Sequence, residues 1–239
     1  MSDTTVRKEM GAFERIIGVF TSPKETFESI DTRPTWLLPF VIIMVITLGF
    51  MAINMDINIK DQMAALDHRD MPAEQYQRAR ANLEGPMRYV QFGIVPIATL
   101  IVWAILSGIF LFAGNTVMGG GGTFKRVFSV VAWSGLIGAL GYIVKQVLVV
   151  FKGTNRGVTT SLAALLPAPE LGGNTSVLYK LLSKFDIFTI WQLVIWIIGF
   201  AIVFSFTNKK SAAMVISLFV IWTVVSIVLG QLLGNMFHG

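Results

Sequence analysis

The 239-residue sequence has no cysteine, only two histidines and few charged residues. Without cysteine, the chain can form neither disulfide bonds nor thiolate metal sites. His68 and His238 lie far apart along the chain, a spacing that disfavours a histidine metal cluster. The sequence therefore predicts no metal site and no bound cofactor.

Charged residues make up 14% of the chain, whereas an average soluble domain has about 25%. Apolar residues make up 54%, and the mean hydropathy is +0.68. So few charged residues cannot cover the surface of a chain of this size in water. Lipid is therefore the expected solvent for much of the chain. The net charge of +5 comes without a long basic run or interleaved aromatic and basic residues, which disfavours nucleic-acid binding.

Five long apolar runs predict transmembrane helices, since about 20 residues at about 1.5 Å each cross a hydrocarbon core of about 30 Å. The predicted spans are residues 36–53, 89–113, 127–151, 187–206 and 212–237. We therefore predict an all-α integral membrane protein, a bundle of five transmembrane helices with N-terminal amphipathic helices. Residues 72–83 and 176–185 are predicted as further helices in the loops.

The basic residues predict the orientation of these spans. Residues 1–34 form a polar N-terminal segment, and residues 35–239 form the transmembrane domain. Two short turns carry the adjacent basic pairs Lys125 with Arg126 and Lys209 with Lys210, whereas the opposite loops are long and the C-terminal tail has no Lys or Arg. Because basic residues in short loops favour the inner side, we predict a cytoplasmic N-terminal segment and an outer C-terminus.

The N-terminal segment contains patterns of two short helices. One predicted apolar face, at the i, i+3, i+4, i+7 spacing of a helix, is Phe13, Ile16, Ile17 and Phe20. A second helix begins at Pro23, with Ser22 as its predicted cap and Glu25 completing a capping box. These helices either lie on the inner membrane face or pack beneath the bundle.

Lys145 is the one ionisable residue well inside a predicted span. A lysine at the centre of a transmembrane helix costs about 2.5–3.5 kcal/mol. Three interpretations stay open: Lys145 snorkels to the interface, pairs with Asp186, or lines an ion or substrate pathway. The last of these supports an alternative function, a small transporter or channel that uses Lys145 and Asp186.

No pattern of catalytic residues is present in the sequence. The stretch GGGGTFKR at 119–126 is not preceded by a strand, and its lysine follows Phe124 instead of glycine, so a flexible turn is a better interpretation than a phosphate-binding loop. No Ser–His–Asp or paired-carboxylate arrangement fits within the membrane. The amides in or beside the spans are interpreted as interhelical contacts: Asn54, Asn115, Gln146, Gln192 and Gln231.

Four stretches together resemble the Yip domain family (Ypt-interacting proteins) in its bacterial form. FTSPKETF at 20–27 is similar to the F-x-S-P-x-x-x-F stretch of that family, and GGGGTFKRVFSVVAWS at 119–134 is similar to its glycine-rich inner turn. DIFTIW at 186–191 resembles the start of its final pair of spans. Leu83, Gly85 and Pro86 match part of the acidic–Leu–Ala–Gly–Pro stretch that eukaryotic members of the family carry before the second span.

The resemblance implies a five-span bundle with its N-terminus inside, in the bacterial cytoplasmic membrane, and no particular activity. Eukaryotic members are membrane-trafficking factors that bind prenylated small GTPases. We therefore expect a non-enzymatic protein that binds partner proteins at the N-terminal segment, organises membrane lipid or forms a homo-oligomer. The candidate interaction or structural residues are Phe20, Pro23, Phe27, Leu83, Gly85, Pro86, Lys145, Asp186, Phe188 and Trp191.

Overall fold

A computed structural model describes residues 10–68, 71–169 and 175–238. Within these residues the chain forms ten α-helices, two 3-10 helices and one π-helical turn, with a single isolated β-bridge between Ser161 and Asp186. The predicted all-α class is thereby confirmed. The α-helices are α1 (Ala12–Thr21), α2 (Pro23–Thr32), α3 (Leu37–Ile53), α4 (Met55–Asp67), α5 (Ala73–Glu84), α6 (Val90–Phe112), α7 (Phe124–Lys152), α8 (Val177–Leu182), α9 (Ile187–Val203) and α10 (Asn208–His238). The 3-10 helices are Pro86–Tyr89 and Leu162–Leu165, and the π-helical turn is Ala113–Val117.

Several of these helices are candidate membrane spans. Three segments are long and apolar enough to cross a membrane: Pro86–Val117, Phe124–Lys152 and Asn208–Leu232. The pair α3 and α4, which bends by 62° at a break between them, is a fourth if it counts as one span. α9 is apolar but has only 17 residues. The described residues thus hold three or four candidates by length and composition, and the number five stays a prediction.

The five apolar runs all become helices, with ends within a few residues of those predicted. Leu37, Val90, Phe124, Ile187 and Asn208 begin them. Pro39 fits into α3 because it lies in the first turn, where the backbone N–H has no helical acceptor. The predicted loop helices are present as α5 and α8. α4 was not predicted, since its mixed charged and apolar residues have no clear helical stripe.

The N-terminal helices depart from their predicted faces. α1 buries Arg15, Gly18 and Val19, whereas Phe13 and Ile17 of the predicted apolar face are exposed. The predicted side-chain cap by Ser22 is wrong, since its hydroxyl makes no capping hydrogen bond to α2. The Glu14 carboxylate instead accepts a hydrogen bond from the Gly11 N–H, 2.8 Å away, at the start of α1.

The chain divides into two compact units. Unit 1 comprises Met1–Ile43, Leu100–Ala139 and Ile190–Phe219, and unit 2 comprises Met44–Thr99, Leu140–Thr189 and Val220–Gly239. The core of unit 1 is aromatic, with Trp133, Phe200 and Phe27 at most 1% exposed. The Phe110 and Phe200 rings lie 4.3 Å apart between centroids, and Trp36 meets Phe128 edge-on at 5.5 Å. Such edge-to-face and offset pairs contribute beyond simple area burial.

Unit 2 relies more on polar contacts between its segments. The Asn54 amide donates to Oε1 of Gln146 at 2.7 Å, beside the break between α3 and α4. Phe50 meets Tyr142 edge-on at 6.2 Å. A Cβ atom at Gly141 would lie 2.7 Å from the Phe188 ring, so only glycine lets that ring rest on the backbone of α7. The small residue here serves close packing of the helix.

Candidate functional site

The first candidate site is the hairpin of α1 and α2, here called the N-terminal hairpin. Arg15 is only 7% exposed, and its guanidinium joins the two helices. It donates to the backbone oxygen and hydroxyl of Ser29 at 3.1 Å each, and to the Arg33 oxygen and Thr35 hydroxyl at 3.2 Å each. A charged donor bonded to several oxygens makes a strong clamp. The hairpin is therefore a fixed element.

An ion pair fixes the hairpin to α7. The Arg126 guanidinium donates two hydrogen bonds to the Asp31 carboxylate, and the Asp31 side chain is only 8% exposed. Nearby, the Trp133 ring N–H donates to the Thr35 backbone oxygen at 2.7 Å. Bidentate pairs of this kind give geometric specificity as well as energy. The sequence does not indicate this pair because its members are 95 residues apart.

Phe20 and Phe27 pack the hairpin against α9. Phe20 meets Trp191 edge-on at 5.9 Å. A Cβ atom at Gly199 would lie 2.6 Å from Val130 and 3.3 Å from the Phe27 ring. Trp191 and Gly199 are eight residues apart, which is about 12 Å along a helix, so these contacts extend along one side of α9. The structure thus brings three predicted site residues, Phe20, Phe27 and Trp191, into one contact region, with Pro23 in the first turn of α2.

The outward face of α1 exposes two large apolar side chains. Phe13 is 73% exposed and Ile17 is 46% exposed, and the two lie one helical turn apart. Arg15, the only basic residue of α1, points into the hairpin. Glu14 lies in the first turn of α1, where its carboxylate caps the helix. The hairpin therefore presents an apolar patch without neighbouring cations on its own helix.

The turn at residues 113–123, here called the glycine turn, is fixed by its neighbours. The Asn115 amide donates to the Gly122 oxygen at 2.8 Å and accepts from the Gly122 N–H at 2.9 Å. A Cβ atom at Gly122 would lie 2.6 Å from the Phe204 ring, which fills the turn. The predicted flexible turn is thus held by side-chain hydrogen bonds and an aromatic ring, which the glycine run itself does not reveal.

Lys210 joins the glycine turn to the turn at residues 204–207, which leads into α10. Its ammonium donates to the Met118 oxygen at 2.6 Å and lies 4.2 Å from the centroid of the Phe206 ring. Cation–π contacts of this kind stabilise exposed sites modestly. The two predicted basic pairs thus lie at the starts of α7 and α10, directly after turns that touch each other.

Lys145 and Asp186 do not form the pair that the sequence suggests. Lys145 is exposed and has no hydrogen bond or ion pair to any residue that the structure describes. Asp186 instead accepts from the Thr160 hydroxyl and caps α9 through the Phe188 N–H at 2.8 Å. Asp186 is therefore an N-cap, a structural role typical of aspartate at this position.

The remaining predicted residues belong to the end of α5. Leu83 is half-buried, and Gly85 ends the helix with its N–H bonded to the Ala81 oxygen at 2.8 Å. Pro86 opens the following 3-10 helix. Glycine after the end of one helix and proline at the start of the next are the usual positions of these residues.

A polar cluster that the sequence did not indicate lies on α4 and the loop after α7. The Asp61 carboxylate accepts from the Thr154 hydroxyl at 2.7 Å and from the Asn155 N–H at 2.6 Å. Partial burial raises the pKa of Asp61, but the hydrogen bonds from Asn155 and Thr154 and the charge of Arg156 together bring it below its ordinary value. Among the described residues, no group of three or more His, Asp or Glu could hold a metal ion.

A family model described as the Yip1 domain matches residues 17–230. Membrane protein YknW of Bacillus subtilis (strain 168) is 29% identical over 237 residues, which cover 95% of this chain and 96% of that protein. No solved structure matches the chain.

Proposed function

Since this chain belongs to the Yip1 domain family of membrane proteins, we propose that it acts by docking a partner protein on the exposed face of its N-terminal hairpin, without catalysis. The observation that carries this proposal is the pair Phe13 and Ile17. Both are exposed, on a helix whose other face is clamped by Arg15. A rigid apolar patch loses little side-chain and loop freedom on binding, which favours association.

The family and the helix pattern support five spans in the proposed arrangement. α3, α6, α7, α9 and α10 are the spans, and α4 lies beyond the outer end of α3. α3 and α9 have 17 residues each, at the lower limit of about 17–25 residues for a spanning helix. The contact of Lys210 with Met118 supports a shared side for the two basic turns, and the Asp31–Arg126 pair supports the same side for the hairpin. Basic turns favour the inner side, so the hairpin is cytoplasmic in this proposal.

The chemistry of α1 favours a protein over lipid as the occupant of the Phe13–Ile17 patch. Helices that bind membrane surfaces carry Lys and Arg on their polar face. The single arginine of α1 is buried in the hairpin, and Glu14 would repel anionic headgroups. Within the part of the chain that the structure describes, Lys145 faces outward and Asp186 caps a helix, so neither residue supports transport.

The test is crosslinking in the native membrane followed by mass spectrometry, with the double variant Phe13→Ser and Ile17→Ser. Removal of residues 1–34 is unsuitable, since it would also remove the buried Phe27. The matched control is Phe151→Ser with Leu165→Ser, which changes two side chains of unit 2 that are 85% and 80% exposed.

We expect a protein partner that is captured by the wild type and the control but not by the Phe13/Ile17 variant. Capture that is the same in all three proteins would overturn the proposal. Crosslinks to lipid alone, lost in the Phe13/Ile17 variant, would assign the patch to the membrane instead. Self-crosslinks lost in the same variant would identify a second copy of the chain as the occupant.

A further inference from the structure

The two joined turns of unit 1 concentrate positive charge without acidic residues. The segments of unit 1 at residues 100–139 and 190–219 contain four basic residues and no Asp or Glu. Arg126 is neutralised by Asp31 from the hairpin. Lys125, Lys209 and Lys210 are exposed and have no carboxylate within 4 Å among the described residues. An anion is the natural counterpart of three such ammonium groups.

We propose that the glycine turn and the 204–207 turn, with Lys125, Lys209 and Lys210, bind the phosphate headgroup of an anionic phospholipid. Lys210 is the central residue of this site because its position is fixed. One of its N–H groups bonds the Met118 oxygen, and two donors stay available for a phosphate. Its ammonium also lies 4.2 Å from the centroid of the Phe206 ring, so binding costs it little side-chain entropy.

The surroundings of the lysines match a lipid better than a free anion. Val117 is 70% exposed and Phe124 is 46% exposed, and both belong to the same turn region as Lys125. These apolar side chains would contact acyl chains while the ammonium groups hold the headgroup. α7 and α10 both begin at these turns, and the positive ends of their dipoles reinforce the attraction. Attraction of basic residues near a membrane surface to anionic lipid has the same physical origin.

The site is independent of the Phe13–Ile17 patch, so the two proposals can fail separately. The test uses the full chain in detergent micelles and measures its melting temperature while dioleoylphosphatidylglycerol or dioleoylphosphatidylcholine is added. The site variant is Lys125→Gln, Lys209→Gln and Lys210→Gln. The control variant is Lys60→Gln, Lys152→Gln and Lys184→Gln, which removes the same charge from unit 2.

We expect phosphatidylglycerol to raise the melting temperature of the wild type and the control variant more than phosphatidylcholine does. Its apparent affinity should fall about five-fold for each lysine removed at the site. Equal effects of the two lipids, or equal losses in the two variants, would overturn the proposal. So would stabilisation of the wild type by inorganic phosphate alone to the same extent, which would assign the site to a free anion.

The site variant could lose stability because Lys210 also bonds Met118. The double variant Lys125→Gln with Lys209→Gln keeps that bond, and it should still bind phosphatidylglycerol about 25-fold more weakly than the wild type. A double variant with wild-type affinity would contradict the proposal irrespective of how the triple variant folds.

Discussion

Unit 1 and unit 2 bury their side chains very differently. Among the described residues, the buried apolar side chains of unit 2 are only Met44, Leu66, Val149 and Ala163, whereas unit 1 holds all the others. Unit 1 is close-packed, because its aromatic rings contact one another and other side chains lie directly against its glycines. Unit 2 is held by amide and carboxylate hydrogen bonds, and most of its apolar side chains face outward.

The difference shows where this protein can tolerate change. A close-packed core transmits strain and penalises every lost methylene group. Outward apolar side chains in a membrane protein contact lipid, which is as apolar as they are, so their replacement by other apolar residues costs little. The N-terminal hairpin therefore belongs to the part of the molecule that resists substitution, although it precedes every apolar run in the sequence.

The largest expected effect is on the aromatic core of unit 1. Phe27→Ala should lower the free energy of unfolding by about 3–5 kcal/mol, because the ring is fully buried against α7 and α9. The control Phe151→Ala changes a ring of unit 2 that is 85% exposed, and it should cost less than about 0.5 kcal/mol. Denaturant unfolding in micelles measures both values. Similar losses in the two variants would remove the contrast between the units.

The ion pair of the hairpin comes next. Asp31→Asn should cost about 1–3 kcal/mol, because it leaves the Arg126 guanidinium without its carboxylate. Glu84→Gln, which breaks the exposed Arg80–Glu84 pair of unit 2, should cost under about 0.5 kcal/mol. Thermal unfolding compares the two variants. If Asp31→Asn proves as mild as Glu84→Gln, the pair does not hold the hairpin in place.

Asn54→Ala tests whether unit 2 depends on its polar contacts. We expect a loss of about 1–2 kcal/mol, because the Gln146 amide then lacks its partner in a buried position. Adding Gln146→Leu should recover part of that loss, since no buried amide is then left unpaired. The free energies of unfolding of the two single variants and the double variant give the coupling. Additive losses would show that the two amides act independently.

The smallest effect concerns the pH dependence of unit 2. The pKa of Asp61 lies below its ordinary value of 3.8 in the folded protein. Its contribution to stability is therefore complete above that value and is lost as the pH falls through the lower folded pKa. Asp61→Asn should flatten this part of the stability profile by less than about 1 kcal/mol. Stability profiles of the wild type and the variant that run parallel below about pH 4 would contradict the assignment.

The sequence predicts the helices well because lipid-facing helices are marked by long apolar runs. Two predictions that depend on local patterns match the structure, since Pro23 opens α2 and Gly85 ends α5. Phe20 and Phe27 pack the hairpin, which is one of the two arrangements that the sequence leaves open. Asp186 and Lys145 show the limit of this approach. An ion pair requires the two side chains to be close in space, which the sequence alone does not give. The Asp186 carboxylate instead accepts hydrogen bonds from the Thr160 hydroxyl and from the Phe188 N–H at the start of α9.

Arg15 shows a second limit. Helical periodicity assigns a charged residue to the exposed face and an apolar residue to the buried face. In the hairpin the charged Arg15 is buried and two apolar residues are exposed. This is possible because backbone and hydroxyl oxygens of α2 and the following residues accept hydrogen bonds from the Arg15 guanidinium. Those acceptors become apparent only once α2 is folded back on α1. The exposed apolar patch is the other consequence of that reversal, and it is where we propose that a partner binds.

The dependence of the hairpin on later parts of the chain also sets an order of events during synthesis. Asp31 leaves the ribosome 95 residues before Arg126. At about 5–20 residues per second, the hairpin waits roughly 5–20 s for that partner, and longer for Trp191 and Gly199. Docking of the first helices is thus completed only after α9 has been made. The position of the hairpin consequently distinguishes a chain in which α9 has been made from a shorter nascent one, and a partner that requires the docked form recognises only the former.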